Sequence, residues 1–214
     1  MPTRHLILAS QSPRRRELMA QLGIPFKIIV SAIDEQRLPG EQPIEMARRL
    51  SQEKAWTVSR TLQHPALIVA ADTIVIDGED VLGKPQDAEE AVAMLTRLRG
   101  HTHTVCTAVS VLDTATGVVR CEAPASPVPM RAYSQQEIAD YIATDDPFDK
   151  AGGYAIQHQG FHPVESFDHC FANVMGLPIC RVARLLQAFE VPISDKALDS
   201  CRVHQMIPCP LVDF

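Results

Sequence analysis

The chain has 214 residues, of which 46% are hydrophobic and 21% charged, with a net charge of -6. This length is enough for one domain with a sizeable core, and the composition is that of an ordinary globular protein. The acidic balance argues against nucleic acid as a main partner, because binding a phosphate backbone needs an excess of lysine and arginine. A basic segment therefore has a local role, which suits a small polyphosphate better than a polymer.

No targeting or membrane-spanning segment is predicted. The apolar run over residues 6–9 is too short for a signal peptide, and the longest apolar run, 66–76, is interrupted by Asp72. The six cysteines form no Cys-x-x-Cys pair. We therefore expect a cytoplasmic protein with reduced thiols rather than disulfides or a zinc site.

Strands and helices alternate along the chain. The patterns predict strands over residues 6–9, 26–30 and 67–76, a hairpin at Asp77-Gly78 that returns through 81–82, and strands over 104–112 and 118–121. They predict helices over residues 13–22, 43–62, 87–99, 134–143 and 178–189. This order indicates an α/β fold with a mixed sheet rather than a strict βαβ series. We predict one domain over residues 1–189, followed by a C-terminal tail, 190–214, of unknown role.

The segment Ser10-Gln-Ser-Pro-Arg-Arg-Arg16 is the most informative part of the chain. Ser12 is a plausible N-cap and Pro13 suits the first helical position. Three arginines in a first turn are unfavourable for an isolated helix, whose N-terminus attracts acids. They are favourable if an anion binds where the strand, the turn and the helix meet. The alternative is a solvated basic turn.

Asp72 is an acid inside an apolar strand. A buried carboxylate is costly unless it is paired, hydrogen-bonded or bound to a metal. One interpretation is a structural aspartate at the end of a strand. The functional interpretation is a general base or a metal ligand at the mouth of the sheet.

Two lysines and one glutamate also have two interpretations each. Lys54 interrupts the apolar face of its helix, so it either extends its ammonium group to the surface or points inward at a phosphate. Lys84 lies between Gly83 and Pro85 and is either a loop lysine or a further phosphate-binding cation. Glu35 is either an exposed loop acid or a residue that shares a metal with Asp72.

Six motifs in order resemble the Maf family of nucleoside-triphosphate pyrophosphatases. They span residues 6 to about 189 and together are far more specific than any one of them. The motifs are Leu8-Ala-Ser-Gln-Ser-Pro-Arg-Arg-Arg-Glu-Leu18, Gln52-Glu-Lys-Ala55, Ala71-Asp-Thr73, Gly83-Lys-Pro85, Asp145-Asp-Pro-Phe-Asp-Lys-Ala-Gly-Gly-Tyr-Ala-Ile-Gln157 and Asn173-Val-Met-Gly-Leu-Pro178.

The resemblance implies a fold, a site and a cofactor. The fold would be an elongated mixed β-sheet flanked by helices, with a deep cleft between two lobes, as in inosine-triphosphate pyrophosphatases, and usually a homodimer. The reaction would need Mg or Mn, with Asp72 and Glu35 as metal ligands. Asp72 would be the proton acceptor, and Arg14, Thr73 and Gln157 the positions tied to base selection. The remaining polar site positions would be Ser10, Arg15, Glu35, Lys54 and Lys84.

The substrate branch is indicated by Ala71-Asp-Thr73 and by the run that ends in Gln157, which resemble family members acting on dTTP and UTP. A glutamine amide carries a donor and an acceptor, which can meet N3–H and O4 of uracil or thymine. The amide could turn over to suit cytosine, so Thr73 and backbone groups would have to fix its orientation. We therefore expect hydrolysis of dTTP and UTP to the monophosphate and pyrophosphate.

Two departures and two alternatives accompany this expectation. After Gln157 the chain reads His158-Gln-Gly-Phe-His-Pro163, and later Asp168-His-Cys-Phe171, where the family commonly has glycine and small residues. These histidines concern the substrate range more than the chemistry. The alternatives are a 7-methyl-GTP pyrophosphatase of the same family and a nucleotide-binding regulator of cell division without turnover. A transferase lacks support, because no Gly-x-x-x-x-Gly-Lys-Ser/Thr motif occurs.

Overall fold

The computed structural model describes residues 5–194, which form a mixed seven-stranded sheet packed against helices. The strands are β1 (His5–Leu8), β2 (Lys27–Ile28), β3 (Ala66–Asp77), β4 (Asp80–Leu82), β5 (Thr102–Asp113), β6 (Val118–Glu122) and β7 (Ala125–Pro129). The helices are α1 (Pro13–Ala20), α2 (Pro43–Ser59), α3 (Ala88–Leu98), α4 (Gln135–Ile142), α5 (Phe171–Met175) and α6 (Ile179–Gln187). The predicted fold class is thereby confirmed.

Local signals start the helices where the sequence predicts. Ser12 caps α1 by accepting a hydrogen bond from the backbone N–H of Arg15, and Pro13 occupies the first turn. Asp87 caps α3 through Glu90 N–H. Ser134 and Glu137 form a reciprocal capping box at the start of α4. These caps satisfy N–H groups that have no partner within the helix.

The first half of β3, residues 66–71, is apolar because helices cover both of its faces. Its residues Leu67 and Val69 pack in a core with α1, α5 and α6. The alternate residues Ile68 and Ala70 pack in a different core with α2. Successive side chains of a strand point to opposite faces, so a strand buried on both sides reads as one continuous hydrophobic run.

An interruption along one edge of β3 creates the place for a site. β5 pairs antiparallel with nearly the whole of β3 on one edge. On the other edge, β1 pairs in parallel with β3 only up to Val69, and the pairing of β3 with β4 begins only at Val75. Residues 70–74 therefore have no strand beside them on that edge within the described chain. Asp72 and Thr73 lie in this interruption.

The second half of the chain builds a further core beside the interruption. It joins Val75 of β3 to Leu95 of α3, Tyr133, Tyr141 of α4 and Phe161. Two elements of this half escape sequence prediction. β7 contains two prolines, which weaken any strand signal, and α5 has only five residues. Both are stabilised by packing on β5 rather than by their own propensity.

Two findings concern membrane spans and the predicted C-terminal tail. No helix within residues 5–194 is long and apolar enough to cross a membrane. Most of the predicted tail, with Cys201 and Cys209, lies outside the described residues.

Candidate active site

A cleft opens at the interruption in β3. Every polar residue that the sequence analysis selected as a site candidate lines it, namely Ser10, Arg14, Arg15, Glu35, Lys54, Asp72, Thr73, Lys84 and Gln157. Arg16, the third arginine of the basic turn, is exposed and is not among the lining residues. The fold therefore gathers these residues from segments that are far apart in sequence.

The centre of the cleft is a lysine between two carboxylates. Lys54 Nζ lies 2.5 Å from Asp72 Oδ1 and 2.6 Å from Glu35 Oε1. Lys54 and Asp72 are buried, 8% and 5% exposed, so Lys54 does not extend its ammonium group to the surface. Each compensates the buried charge of the other, which would otherwise be costly.

Glu35 lies in the strandless loop between β2 and α2. Burial opposes its ionisation, but the hydrogen bond and charge of Lys54, with the charges of Lys84 and Arg15, outweigh burial and hold the pKa of the carboxyl below its usual range. Glu35 is therefore ionised at neutral pH, and its side chain is half-exposed. Of its two interpretations, the exposed loop acid agrees with its position, but the carboxylate also contacts Lys54.

Glu35 and Asp72 are the carboxylates at the cleft that would hold a metal. Within the described residues, no group of three or more histidine, cysteine, aspartate or glutamate side chains could hold an ion. The carboxylate oxygens of Glu35 and Asp72, both of which contact Lys54 Nζ, are donors of the kind that suits Mg²⁺, which commonly takes one or two carboxylates and completes its shell with water and substrate phosphate oxygens. Oxygen donors also suit Mn²⁺.

Arg15 is bound mainly by the protein itself. Its guanidinium donates to the carbonyl oxygens of Ala71 at 2.7 Å and Gly176 at 2.8 Å, and to Thr73 Oγ1 at 2.9 Å. Burial lowers its pKa, against the opposing charges of Asp72 and Glu35. Three of the five guanidinium N–H groups are used in this way, so Arg15 fills the interrupted edge of β3 and has only two donors left for a ligand.

Arg14 reaches across the cleft. Its guanidinium lies 3.2 Å from Asp149, a carboxylate on the 3₁₀ turn Asp146–Asp149. Lys150, buried beside it, donates to Asp149 Oδ1 at 2.5 Å and to Asp146 Oδ1 at 2.8 Å. The ion pair between Arg14 and Asp149 thus joins the α1 side of the cleft to the second half of the chain.

Two candidates have side chains that are free to meet a ligand. Among residues 5–194, Lys84 forms no ion pair or hydrogen bond, and it is exposed at the cleft. Within the same range, the half-buried amide of Gln157 makes no hydrogen bond. Such unpaired groups facing a cleft are typical of groups that bind a ligand.

The sequence model of the Maf-like protein family matches residues 5–189. The chain belongs to this family. A dTTP/UTP pyrophosphatase from Thermomicrobium roseum is 48% identical over 192 residues, covering 88% of this chain and 86% of that protein. One from Syntrophomonas wolfei is 45% identical over 179 residues, covering 84% and 94%.

Solved structures show the same fold at low sequence identity. The Ham1 protein of Staphylococcus aureus is 13% identical, with a TM-score of 0.50, and the match covers 87% of this chain and 98% of that one. A Ham1 protein from Coxiella burnetii is 14% identical, also with a TM-score of 0.50, covering 87% and 100%. At this identity the likeness concerns the fold alone.

The histidine-containing departures of this Maf-like chain do not line the cleft. His158 Nδ1 accepts a hydrogen bond from Phe161 N–H, and the ring packs against Tyr141. The guanidinium of Arg131 donates hydrogen bonds to the carbonyl oxygens of Phe161 and His162 in the same loop. Neither these histidines nor His169 is among the residues lining the cleft. The first departure shapes the loop behind Gln157 rather than the cleft wall.

Asn173 is a structural residue to which the sequence analysis gave no role. It is fully buried; its amide nitrogen donates to Val105 O and Ser126 Oγ, both at 3.0 Å, and its Oδ1 accepts from Thr107 N–H. The hydroxyl of Thr107 donates to Asn173 O at 2.7 Å. The Thr107 proton is thereby used, so Thr73 must be the donor in their 2.9 Å contact. The motif containing Asn173 was the available signal, but spacing alone did not show these partners.

Proposed function

We propose that this protein hydrolyses dTTP and UTP to the nucleoside monophosphate and pyrophosphate. The observation that carries the proposal is the convergence of Asp72, Glu35 and Lys54 in a cleft that also contains Lys84 and Arg14. Charge neutralisation, an oriented water and a base are what phosphoryl chemistry requires. Relatives that are 38–48% identical and named dTTP/UTP pyrophosphatases support the same assignment.

Lysine and arginine side chains hold the triphosphate. Lys84 meets the phosphates directly, because it has no described partner to give up. Without a ligand, Lys54 and Arg14 are paired with carboxylates, and phosphate oxygens share these cations with the carboxylates. Arg15 adds its two remaining donors while it keeps the edge of β3 in place. Ser10, buried beside this group, adds a hydroxyl.

Asp72 is the base in the proposed reaction. It takes a proton from the water that attacks the α-phosphorus, the bond from that phosphorus to the bridging oxygen breaks, and pyrophosphate leaves with the electron pair. Lys54, which contacts Asp72, keeps this carboxylate oriented at the cleft. Glu35 and Asp72 would hold the divalent metal, Mg or Mn, which supplies charge neutralisation at the phosphates.

The base of the nucleotide lies at the Gln157 end of the cleft in this proposal. The Gln157 amide has no hydrogen-bond partner within residues 5–194, so its donor and acceptor are both available for N3–H and O4 of uracil or thymine. Thr73 acts indirectly, since its hydroxyl donates to Thr107 and accepts from Arg15.

Replacing Gln157 by alanine should reduce discrimination among bases. The loss of a two-point contact should cost about 1–3 kcal/mol for the preferred base and little for a base that never made it. We would measure kcat/KM for UTP, dTTP, CTP and GTP in both proteins. An equal fall for all four nucleotides would assign Gln157 to the phosphates or to the scaffold.

The product identifies the reaction. With UTP or dTTP and Mg or Mn, we expect pyrophosphate to be released before any orthophosphate. A panel of nucleoside triphosphates, including 7-methyl-GTP, scored for both products would test this. Orthophosphate as the first product would indicate a phosphatase instead. Preference for 7-methyl-GTP would indicate the other branch, and tight binding without any product would indicate a regulator.

We further propose a cytoplasmic homodimer. Cys106, Cys121 and Cys180 form no disulfide within residues 5–194, as is usual in a reducing compartment. The dimer follows from the family resemblance, and light scattering of the purified protein measures it directly.

A further inference from the structure

A buried histidine binds the hydroxyl of a tyrosine at the wall of the cleft. His103 on β5 is 3% exposed and its Nε2 lies 2.7 Å from the Oη of Tyr154, which is 5% exposed and lines the cleft. The two rings meet edge to face, with centroids 5.4 Å apart. His103 Nδ1 is buried and has no hydrogen-bond partner among the described residues. Neither residue has a part in the mechanism above.

The unpaired Nδ1 decides which group donates. Burial, with the nearby charge of His101, lowers the pKa of His103 to about 4, so the ring is neutral at physiological pH and carries one proton. If Tyr154 donated to Nε2, that proton would sit on Nδ1 as a buried donor without an acceptor, which is rare. If Nε2–H donates to Tyr154 Oη, a lone pair is left unpaired on Nδ1, and the Tyr154 O–H needs an acceptor from the cleft.

The second arrangement leaves the Tyr154 O–H free to donate. Within residues 5–194, Tyr154 Oη has no other hydrogen-bond partner, and the residue lies at the cleft, where water or a ligand can accept. Burial raises the pKa of Tyr154, so the group remains a neutral donor. It does not become a phenolate.

The neighbours of Tyr154 suit the face of a base rather than phosphates. Tyr154 packs in one apolar cluster with Val75, Val105, Ile156 and Val174, all of which line the cleft. The charged side chains at the centre of the cleft belong to other segments. A neutral O–H in an apolar wall, three residues before Gln157, matches a carbonyl oxygen of a pyrimidine.

We propose that Tyr154 determines specificity by donating a hydrogen bond to O2 of the pyrimidine base, with His103 as its positioning residue. The inference rests on the proposed function, in which Gln157 takes N3–H and O4 and leaves O2 unpaired. Uracil, thymine and cytosine all carry O2, so Tyr154 selects pyrimidines, while Gln157 distinguishes among them.

Sulfur-substituted substrates test the contact atom by atom. In the Tyr154→Phe variant, kcat/KM for UTP and 4-thio-UTP should fall about fivefold to tenfold, mainly through KM, because one hydrogen bond is lost. For 2-thio-UTP, whose sulfur is a poor acceptor, the variant should match the parent protein. An equal fall for all three nucleotides, or no fall for UTP, would overturn the proposal.

Variants of His103 separate positioning from a merely structural role. His103→Gln keeps an N–H donor and should retain most of the selectivity for UTP over 2-thio-UTP, whereas His103→Leu should lose it. In the double variant Tyr154→Phe/His103→Leu, we expect no fall in kcat/KM beyond that of Tyr154→Phe. Additive losses would overturn the positioning role. If His103→Leu does not fold, the Tyr154→Phe and His103→Gln variants still test the hydrogen bond to O2 and the positioning role of His103.

The parent protein distinguishes this inference from the proposed function. If it releases no pyrophosphate from UTP, both fail. If it releases pyrophosphate and Tyr154→Phe leaves the preference between UTP and 2-thio-UTP unchanged, only the present inference fails.

Discussion

Replacing Asp72 by asparagine should reduce kcat by about 10²–10⁴-fold, because a positioned general base typically contributes that much. Asparagine has the shape of aspartate but cannot accept the proton of the attacking water. Lys54 still has Glu35 as a partner at 2.6 Å, so the buried ammonium is not left alone and the protein should fold. Nucleotide binding should survive or strengthen, because a negative charge beside the phosphates is removed.

Asp113→Asn is the matched control for this variant. Asp113 is also a buried aspartate on the central sheet, but it pairs with Leu67 in register, near the opposite end of β3 from the cleft. The activity of the Asp113→Asn variant per folded molecule should equal that of the parent protein. The measurement is kcat from pyrophosphate release, with binding by calorimetry. More than a tenth of the parent rate in Asp72→Asn would show that another group is the base.

Replacing Asn173 by alanine should destabilise the protein by about 3 kcal/mol, since each buried polar group left without a partner costs about 1–3 kcal/mol. Val105 O and Ser126 Oγ would both lose the donor that Asn173 provides. Thr107 N–H keeps a second acceptor, Pro124 O at 3.3 Å, which limits the loss. The free energy of unfolding in urea measures the effect.

Gln63→Ala serves as the control for Asn173→Ala. Gln63 is exposed between α2 and β3, and substitutions at such positions usually change stability by less than about 0.5 kcal/mol. A loss below about 1 kcal/mol for Asn173→Ala would mean that water or a small backbone shift satisfies these partners. The structural role assigned to Asn173 would then be wrong.

The sequence by itself determined the features that depend on neighbouring residues. Ser12 and Pro13 define the start of α1, Ser134 and Glu137 define that of α4, and Asp77-Gly78 turns β3 into β4. Each of these signals acts within a few residues, so it can be read without knowing the fold. Ordered motifs likewise selected the polar residues that line the cleft, since such patterns are properties of the chain.

Only the tertiary structure decided which of these residues meet. Asp72 and Lys54 are 18 residues apart and contact each other because α2 packs on β3. Glu35 joins them from a loop whose course no periodic pattern predicts. Arg15 is a residue that the sequence assigned to the phosphates, yet it is bonded to Gly176, which lies 161 residues away. Hydrophobic periodicity predicts which face of a helix or strand is buried. The partners of a buried charge depend on how the helices and strands pack.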